Sequence, residues 1–266
     1  MTSVIGFCAV LLTHSMWRAG LHEYFLKVAA LSSALALAVW FTRAGTAGAA
    51  LTGALFAASI AMGTAAASRN PFFHSAIPGL LALFLLTTAA TRFRRAKKIN
   101  LGLAESSSRR TAAQVIANLG TAAIFAATAG QTRNYALHTA MLAGVIAALA
   151  EATADTLASE LGETFSGRVV MITTWQSVPP GTDGGITAKG TAVGLIGASF
   201  VVLVCTLAMQ LSLHTAVAAL FAATTGLFID SLLGATLETS GFIGNNAVNF
   251  ISTLASAFIA AAILLI

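Results

Sequence analysis

The sequence has little charge, few cysteines and no flexible linker, and each shortage excludes a class of protein. Charged residues make up 9% of the 266 residues, whereas soluble globular proteins carry about 25%. The two cysteines, Cys8 and Cys205, lie far apart within apolar runs, so we expect neither a disulfide framework nor a metal cluster. None of the histidines has a partner at metal-ligand spacing. No linker rich in glycine or serine divides the chain, so we interpret residues 1–266 as a single domain.

Long apolar runs dominate what the sequence does contain. Hydrophobic residues make up 57% of the chain and the mean hydropathy is +0.86. Apolar runs long enough to cross a bilayer recur from end to end, which predicts an all-α fold, a polytopic bundle of transmembrane helices. We predict about nine spans, at 2–16, 26–42, 45–67, 75–91, 111–130, 135–160, 189–209, 213–237 and 244–266.

The first part of the chain carries packing signals and no chemistry. The run before residue 17 lacks a basic leader region and a cleavage site, so we interpret it as a retained helix with a cytoplasmic N-terminus. A run this short is also compatible with a helix that lies at the interface. Small residues at helical spacing, such as Gly45, Gly48 and Gly53, indicate close helix packing in this half.

The basic residues set the predicted orientation. The net charge is +5 from 14 basic residues, and seven of these lie between Arg92 and Arg110. The positive-inside rule explains these basic residues and places the loop in the cytoplasm. We therefore expect no nucleic acid as a partner. Counting spans from there brings the polar groups of residues 92–266 to the same cytoplasmic face. We therefore expect one site at that face, in an integral protein of a bacterial inner membrane.

Acidic residues are concentrated in one stretch. Five of the nine fall between residues 151 and 185, namely Glu151, Asp155, Glu160, Glu163 and Asp183. An ionisable residue near the bilayer centre costs about 2.5–3.5 kcal/mol, so this cluster indicates a site. Glu151 and Asp155 share a helix face, but Glu160 lies about 140° around from Asp155. Either these carboxylates serve different parts of a site or the helix unwinds near Gly162. Interhelical hydrogen bonds are the alternative, and for Glu163 a surface salt bridge is favoured.

Two further stretches indicate phosphate binding. Arg110, Gln114 and Asn118 are spaced by four and form a polar stripe, and Arg109 and Arg110 stand at a helix start, where anions are favoured. The two arginines could instead be topology anchors that contact lipid headgroups. The second stretch is VPPGTDGG, in which successive backbone N–H groups can form an anion-binding loop. That loop comprises Gly181, Thr182, Asp183, Gly184 and Gly185, and Lys189 follows it. An ordinary Pro-Gly turn is the alternative.

The last polar groups lie in the C-terminal spans. Asp230 and Ser231 interrupt an apolar run, and Asn246 and Asn249 stand one turn apart in the next. An unpaired carboxylate in lipid is costly, so Asp230 is expected to face the bundle and a metal or polar partner. The asparagines are equally compatible with hydrogen bonding between helices.

Five motifs occur in a fixed order: RRTAAQVIAN, ATADTLASELG, VPPGTDGG, IDSLLGATLE and NNAVNF. Together they resemble an integral-membrane family that includes the plant phytyl-phosphate kinase and the animal transmembrane protein nineteen. The resemblance implies Mg²⁺-dependent transfer of a phosphoryl group from a nucleoside triphosphate, with CTP favoured, to an isoprenoid monophosphate, giving the diphosphate. Asp183 and Glu238 stand where relatives often carry Asn and Gln, which adds negative charge near the phosphates.

This resemblance and the residue chemistry give one hypothesis for the site. Asp155, Asp230 and Arg110 are its catalytic residues, and the metal ligands are Asp155, Glu160 and Asp230. The phosphate-binding residues are Arg109, Gln114, Asn118, Gly181, Thr182, Asp183, Gly184, Gly185, Lys189, Asn246 and Asn249. The expected partners are an isoprenoid monophosphate, a nucleoside triphosphate and the bilayer, and the sequence leaves the oligomeric state open, including a homodimer. The alternatives are a transporter or channel for an anion or lipid phosphate, and another lipid-phosphate or nucleotidyl transferase.

Overall fold

The computed structural model describes residues 22–65, 72–100, 109–162 and 167–266, together with residues 10, 70 and 164. About three quarters of the described residues are helical. The helices are α1 (His22–Phe41), α2 (Ala47–Thr64), α3 (Ile77–Arg92), α4 (Arg95–Asn100), α5 (Ala112–Gln131), α6 (Tyr135–Gly162), α7 (Ala188–Met209), α8 (Leu213–Leu233) and α9 (Asn245–Leu265). A π-helical turn, Gly234–Glu238, continues α8.

The helices confirm an all-α polytopic membrane fold. Seven of those in the described residues are long and apolar enough to cross a membrane, and α3 is a shorter apolar helix of 16 residues. Each predicted span from 26–42 onward coincides with one of these eight helices. The predicted span at 2–16, with Cys8, lies outside the described residues except for residue 10.

Helix α6 is the centre of the bundle. It packs against α3, α5, α7, α8 and α9, and Val145, Ile146 and Leu149 in its middle are completely buried. Glycines let the neighbouring helices come close. A Cβ atom added at Gly194 of α7 would stand 2.6 Å from the carbonyl oxygen of Ala154. Because α6 is surrounded on all sides, its polar residues must face other helices or an internal cavity.

In the first helices, some glycines pack closely against a neighbouring segment and others do not. Helix α2 lies tightly against α5, where a Cβ at Gly63 would be 1.9 Å from the carbonyl oxygen of Ala126. Gly45 is also closely packed, since a Cβ there would be 2.9 Å from Val39. For Gly53 the described residues do not show the predicted close packing, because an added Cβ would meet none of their atoms within 4 Å.

A small ordered unit connects α6 to α7. Strands β1 (Val170–Met171) and β2 (Gly185–Ile186) pair antiparallel, with Val170 opposite Ile186. The Ile172 N–H donates to the Gly184 carbonyl at 3.1 Å, which extends the pairing. This unit holds the glycine-rich segment against the ends of α6 and α8.

Candidate functional site

One end of the bundle encloses an ionic cavity of about 390 Å³. Its lining comes from α3 to α9 and from the α6–α7 connection. Five carboxylates and four cations take part: Asp155, Glu160, Asp183, Asp230 and Glu238, with Arg95, Lys98, Arg109 and Arg110. The cations come from α4 and the residues before α5, whereas the carboxylates come from α6, the α8 end and the α6–α7 loop. The cavity therefore has one cationic and one anionic wall.

The anionic wall is built around Asp155 and Asp230. These half-buried residues lie on the adjacent helices α6 and α8, and their carboxyl groups interact electrostatically. The Ser252 hydroxyl of α9 donates to Asp230 Oδ1 at 3.2 Å. The Arg110 guanidinium faces them from the other wall and interacts electrostatically with Asp155. The structure thus brings together the three residues that the sequence hypothesis names as catalytic.

Glu160 has a different partner from the predicted one. Lys98, which is 2% exposed, donates from Nζ to Glu160 Oε2 and, at 3.1 Å, to the carbonyl oxygen of Ala90. The described residues contain no group of three or more His, Cys, Asp or Glu side chains arranged to hold a metal ion. Glu160 contacts Lys98 of α4, so the described residues do not group Asp155, Glu160 and Asp230. Their assignment to a metal stays a prediction. Lys98 lay in the basic loop that the sequence analysis used only for orientation.

The start of α5 holds Arg110 in place. Thr111 caps the helix, and its hydroxyl accepts from the Gln114 N–H at 3.3 Å while Gln114 Oε1 accepts from the Thr111 N–H at 2.8 Å. This reciprocal capping box satisfies two backbone donors. The Arg110 N–H donates to the Ala44 carbonyl at 2.9 Å, and the Arg110 carbonyl accepts from Thr46 N–H at 3.0 Å. Gln114 thus fixes the helix start beside Arg110, as well as lining the cavity.

Two of the predicted amide ligands are bonded to each other. Asn249 Nδ2 donates to Asn118 Oδ1 at 3.1 Å, which joins α9 to α5, and Asn118 is buried. For Asn249 this contact corresponds to the alternative of hydrogen bonding between helices. Asn246 is exposed and lies outside the cavity lining, whereas its neighbour Asn245 belongs to it.

The glycine-rich loop has a defined shape. Gly181 and Gly184 have φ values of 82° and 74°, which side chains other than glycine rarely adopt. The Thr182 N–H donates to the Pro179 carbonyl at 3.3 Å, and the Gly185 N–H donates to the Thr182 carbonyl at 2.9 Å. Two of the N–H groups predicted to bind phosphate are therefore used within the loop itself.

The loop is packed against the end of α8. A Cβ added at Gly184 would stand 2.4 Å from the backbone nitrogen of Ala235 in the π-helical turn. This contact places Asp183 close enough to Glu238 for the two carboxylates to interact electrostatically. Lys189, which follows the loop, is exposed and lies outside the cavity lining. Glu163 lies outside the described residues.

Glu151 is a further acidic residue beneath the site, to which the sequence hypothesis gave no role. It is 1% exposed, and its Oε1 has no hydrogen-bond partner among the described residues. It lies one helical turn below Asp155 and interacts electrostatically with Asp155 and Asp230. Its Cγ would be 2.8 Å from a Cβ at Gly226, so a glycine makes room for it. The four-residue spacing from Asp155 had already predicted that the two carboxylates share a face of the helix.

Hydrophobic helices around an ionic cavity at one end define this chain as a polytopic integral membrane protein. More specifically, the chain belongs to the integral membrane protein DUF92 family, whose family model matches residues 29–257. The family resemblance drawn from the five ordered motifs is confirmed.

Relatives of the chain occur in archaea and plants. The uncharacterized membrane protein MJ0933 of Methanocaldococcus jannaschii is 33% identical over 180 residues, which cover 68% of this chain and 72% of the relative. Protein PGR of Arabidopsis thaliana is 28% identical over 225 residues, covering 68% and 78%. The chloroplastic protein VTE6 of the same plant is 27% identical over 176 residues, covering 64% and 53%. No solved structure matches the chain.

Proposed function

We propose that this protein is an isoprenoid-monophosphate kinase, which transfers the terminal phosphoryl group of a nucleoside triphosphate to a lipid monophosphate. The observation that carries the proposal is the pairing of Asp155 and Asp230 opposite Arg110 in a cavity at the end of a hydrophobic bundle. The motif resemblance to phytyl-phosphate kinases supports an isoprenoid chain on the acceptor. The same resemblance supports CTP as the donor.

The two walls of the cavity suit this chemistry. Phosphoryl transfer depends mainly on positioning and on neutralising charge, so it needs cations around the phosphates. An acceptor oxygen forms a bond to the terminal phosphorus while the bond to the nucleoside diphosphate breaks. The acceptor phosphate is already anionic at neutral pH, so this reaction requires no general base. In this proposal Arg110 and Arg109 bind phosphates, while the loop from Gly181 to Gly185 shapes the cavity beside them.

The anionic wall suits a magnesium ion. Mg²⁺ keeps several waters and is held by one or two carboxylates together with substrate phosphates. Asp155 and Asp230 offer two adjacent carboxylates, so we assign them as its ligands. When bound, the ion would neutralise part of the charge on the triphosphate. We assign Glu160 to the contact with Lys98, and no direct ligand contact to Lys189 or Asn246.

The position of the cavity suits an amphipathic acceptor. A lipid monophosphate has an apolar tail that stays in the membrane and an anionic head that must meet a water-soluble nucleotide. A cavity at the end of the helices allows both. The seven basic residues between Arg92 and Arg110 support a cytoplasmic location for this end under the positive-inside rule. An inner bacterial membrane is the location that we propose.

The test is a direct assay of the purified protein. The protein is incubated in detergent or liposomes with geranylgeranyl or phytyl monophosphate, Mg²⁺ and each of four nucleoside triphosphates. We expect the corresponding diphosphate, measured by mass spectrometry, with the highest rate for CTP. Absence of a diphosphate with every donor and both acceptors would contradict the proposal. A flux assay in sealed liposomes would then test the transporter alternative with the same preparation.

A further inference from the structure

A second cavity, of about 100 Å³, opens beside the ionic one between α1, α2, α3 and α5. Most of its lining is apolar and includes Leu35, Gly53, Ala57, Phe84 and Leu119. We call this cavity the apolar groove. Leu35, Gly53 and Phe84 are half-buried, so in the described part of the chain these residues leave the groove accessible from outside the bundle.

The groove arises from how the first helices pack. Helix α2 packs on α1 and α5, whereas α3 packs on α6 and α7, and α2 and α3 touch each other only slightly. Small residues of α2 face the resulting gap, among them Ala50, Gly53 and Ala54. A Cβ at Gly53 would meet no atom of the described residues within 4 Å, so none of these residues fills the space beside this glycine. Small residues in membrane helices usually serve close packing, and here they border a gap instead.

The apolar groove is continuous with the ionic cavity. Arg110, Gln114 and Asn118 line both, so the first two turns of α5 and the residue before Thr111 form their common wall. An amphiphile with an anionic head at Arg110 would therefore have its chain directed into the groove. An uncharged ligand would make no ionic contact with Arg110, and a ligand without a hydrocarbon chain would not occupy the groove.

We propose that the apolar groove binds the hydrocarbon chain of the phosphorylated lipid next to its phosphate, and that the residues of α2 bordering it determine which chains are accepted. The identity of the lipid as the acceptor of phosphoryl transfer rests on the proposed function. The part of the chain beyond the groove lies in the bilayer. Gly53 is the residue at which this selection is most sensitive, because any larger side chain there projects into the groove.

Photolabelling tests the location directly. The probe is an isoprenyl monophosphate with a diazirine on its first isoprene unit, irradiated with the full-length protein in liposomes and mapped by mass spectrometry. We expect labels on groove residues of α2, α3 or α5, and competition by geranylgeranyl monophosphate but not by geranylgeraniol. Labels confined to α7, α8 or α9, or equal labelling by a probe lacking the phosphate, would overturn the proposal. The second result would mean that the groove holds ordinary bilayer lipid.

Substitutions at Gly53 test chain selection. Gly53→Phe should raise KM for geranylgeranyl monophosphate about tenfold or more, and should raise KM less for dimethylallyl monophosphate, whose five-carbon chain occupies less of the groove. Leu51→Phe is the matched control, since Leu51 lies on the same helix and is 67% exposed, and it should behave as the wild type. Gly53→Leu provides a smaller change if the phenylalanine variant does not fold. An unchanged chain-length preference in folded Gly53 variants would overturn the proposal.

The two proposals fail in different ways. If the wild type forms no diphosphate but shows phosphate-dependent labelling in the groove, the proposed kinase function is wrong. The proposal that the groove binds the lipid chain is then still supported. If the wild type is active, but labelling falls elsewhere and Gly53 variants keep the wild-type chain-length preference, the groove proposal is wrong. The proposed kinase function is then still supported.

Discussion

At the scale of single residues, charge pairing decides what each ionic group in the cavity can do. Asp155 and Asp230 face each other and Arg110, whereas Glu160 is bound to the buried Lys98. In the sequence, Asp155 and Glu160 are five residues apart, and the predicted topology brings Asp230 to the same face of the membrane. Their side-chain directions differ: Asp155 and Asp230 face the cavity and can contact a ligand, whereas Glu160 is already bound to Lys98.

The Asp155 and Asp230 pair gives the first prediction. Asp155→Asn and Asp230→Asn keep the size of the side chain but remove the charge that would bind the metal. Each should lower turnover in the kinase assay about 100-fold or more while the protein stays folded. Glu23→Gln is the control, because Glu23 is exposed and pairs with Lys27 far from the cavity. Wild-type turnover in either aspartate variant would remove that residue from the proposed metal site.

Glu160 and Lys98 give the second prediction. Glu160→Gln leaves the buried Lys98 charge with only a neutral partner, so it should destabilise the protein by roughly 3 kcal/mol. Adding Lys98→Met removes the stranded charge and should restore most of the thermal stability. Both effects are measured as melting temperatures in detergent. The Mg²⁺ concentration that gives half-maximal turnover should not change in Glu160→Gln. If Glu160→Gln instead needs more Mg²⁺ for half-maximal turnover and keeps the wild-type melting temperature, Glu160 belongs to the metal site.

At the scale of elements, the cavity depends on contacts between segments that are distant in sequence. The glycine-rich loop rests on the π-helical turn after α8, and the start of α5 is bonded to the connection between α1 and α2. Glycine is required at Gly184 for two reasons, its positive φ and the lack of space beside Ala235. Only the second reason depends on the tertiary structure.

A pair of glycine variants separates these two causes. Gly241 has a φ of 73°, but a Cβ there would meet nothing within 4 Å. Gly241→Ala should therefore cost only the backbone strain, about 1 kcal/mol. Gly184→Ala adds the clash with Ala235 and should cost roughly 1–3 kcal/mol more. It should also lower turnover, because the loop must move away from α8. Equal melting temperatures for the two variants would show that the loop is not seated on α8.

At the scale of the whole molecule, helix α6 separates two ends with different chemistry. Its 28 residues extend over about 42 Å, which is more than the hydrocarbon core of a bilayer. Ser177 lies at the cavity end and Arg133 at the other, and both are exposed. The chain can therefore be probed from each side of a membrane independently.

Cysteine labelling in cells tests the proposed orientation. In a background with both native cysteines replaced by alanine, Ser177→Cys should react with a membrane-impermeant maleimide only after the cells are opened. Arg133→Cys should react in intact cells, because it lies at the outer end. The reverse pattern would place the cavity outside the cytoplasm, away from the nucleotide pool. That result would be incompatible with the proposed donor.

The architecture was predictable because it depends on local properties of the chain. Each predicted span from 26–42 onward coincides with a helix, since a long apolar run can satisfy its backbone in lipid only as a helix. Polar residues such as Arg110, Asp155 and Asp230 stood out because charge in an apolar run is costly. Their assignment to metal and phosphate remains a prediction that the kinase assay and its variants will test.

The sequence by itself determined the helices, their approximate ends and the cluster of polar residues, because apolar length and charge act over neighbouring residues. Only the tertiary structure decided the partners: Lys98 for Glu160, Asn118 for Asn249, and the cavity lining without Lys189 and Asn246. It also decided that Gly53 faces a gap among the described helices. These outcomes depend on how each helix is rotated and how closely it approaches its neighbours, which is set by packing between segments far apart in the chain.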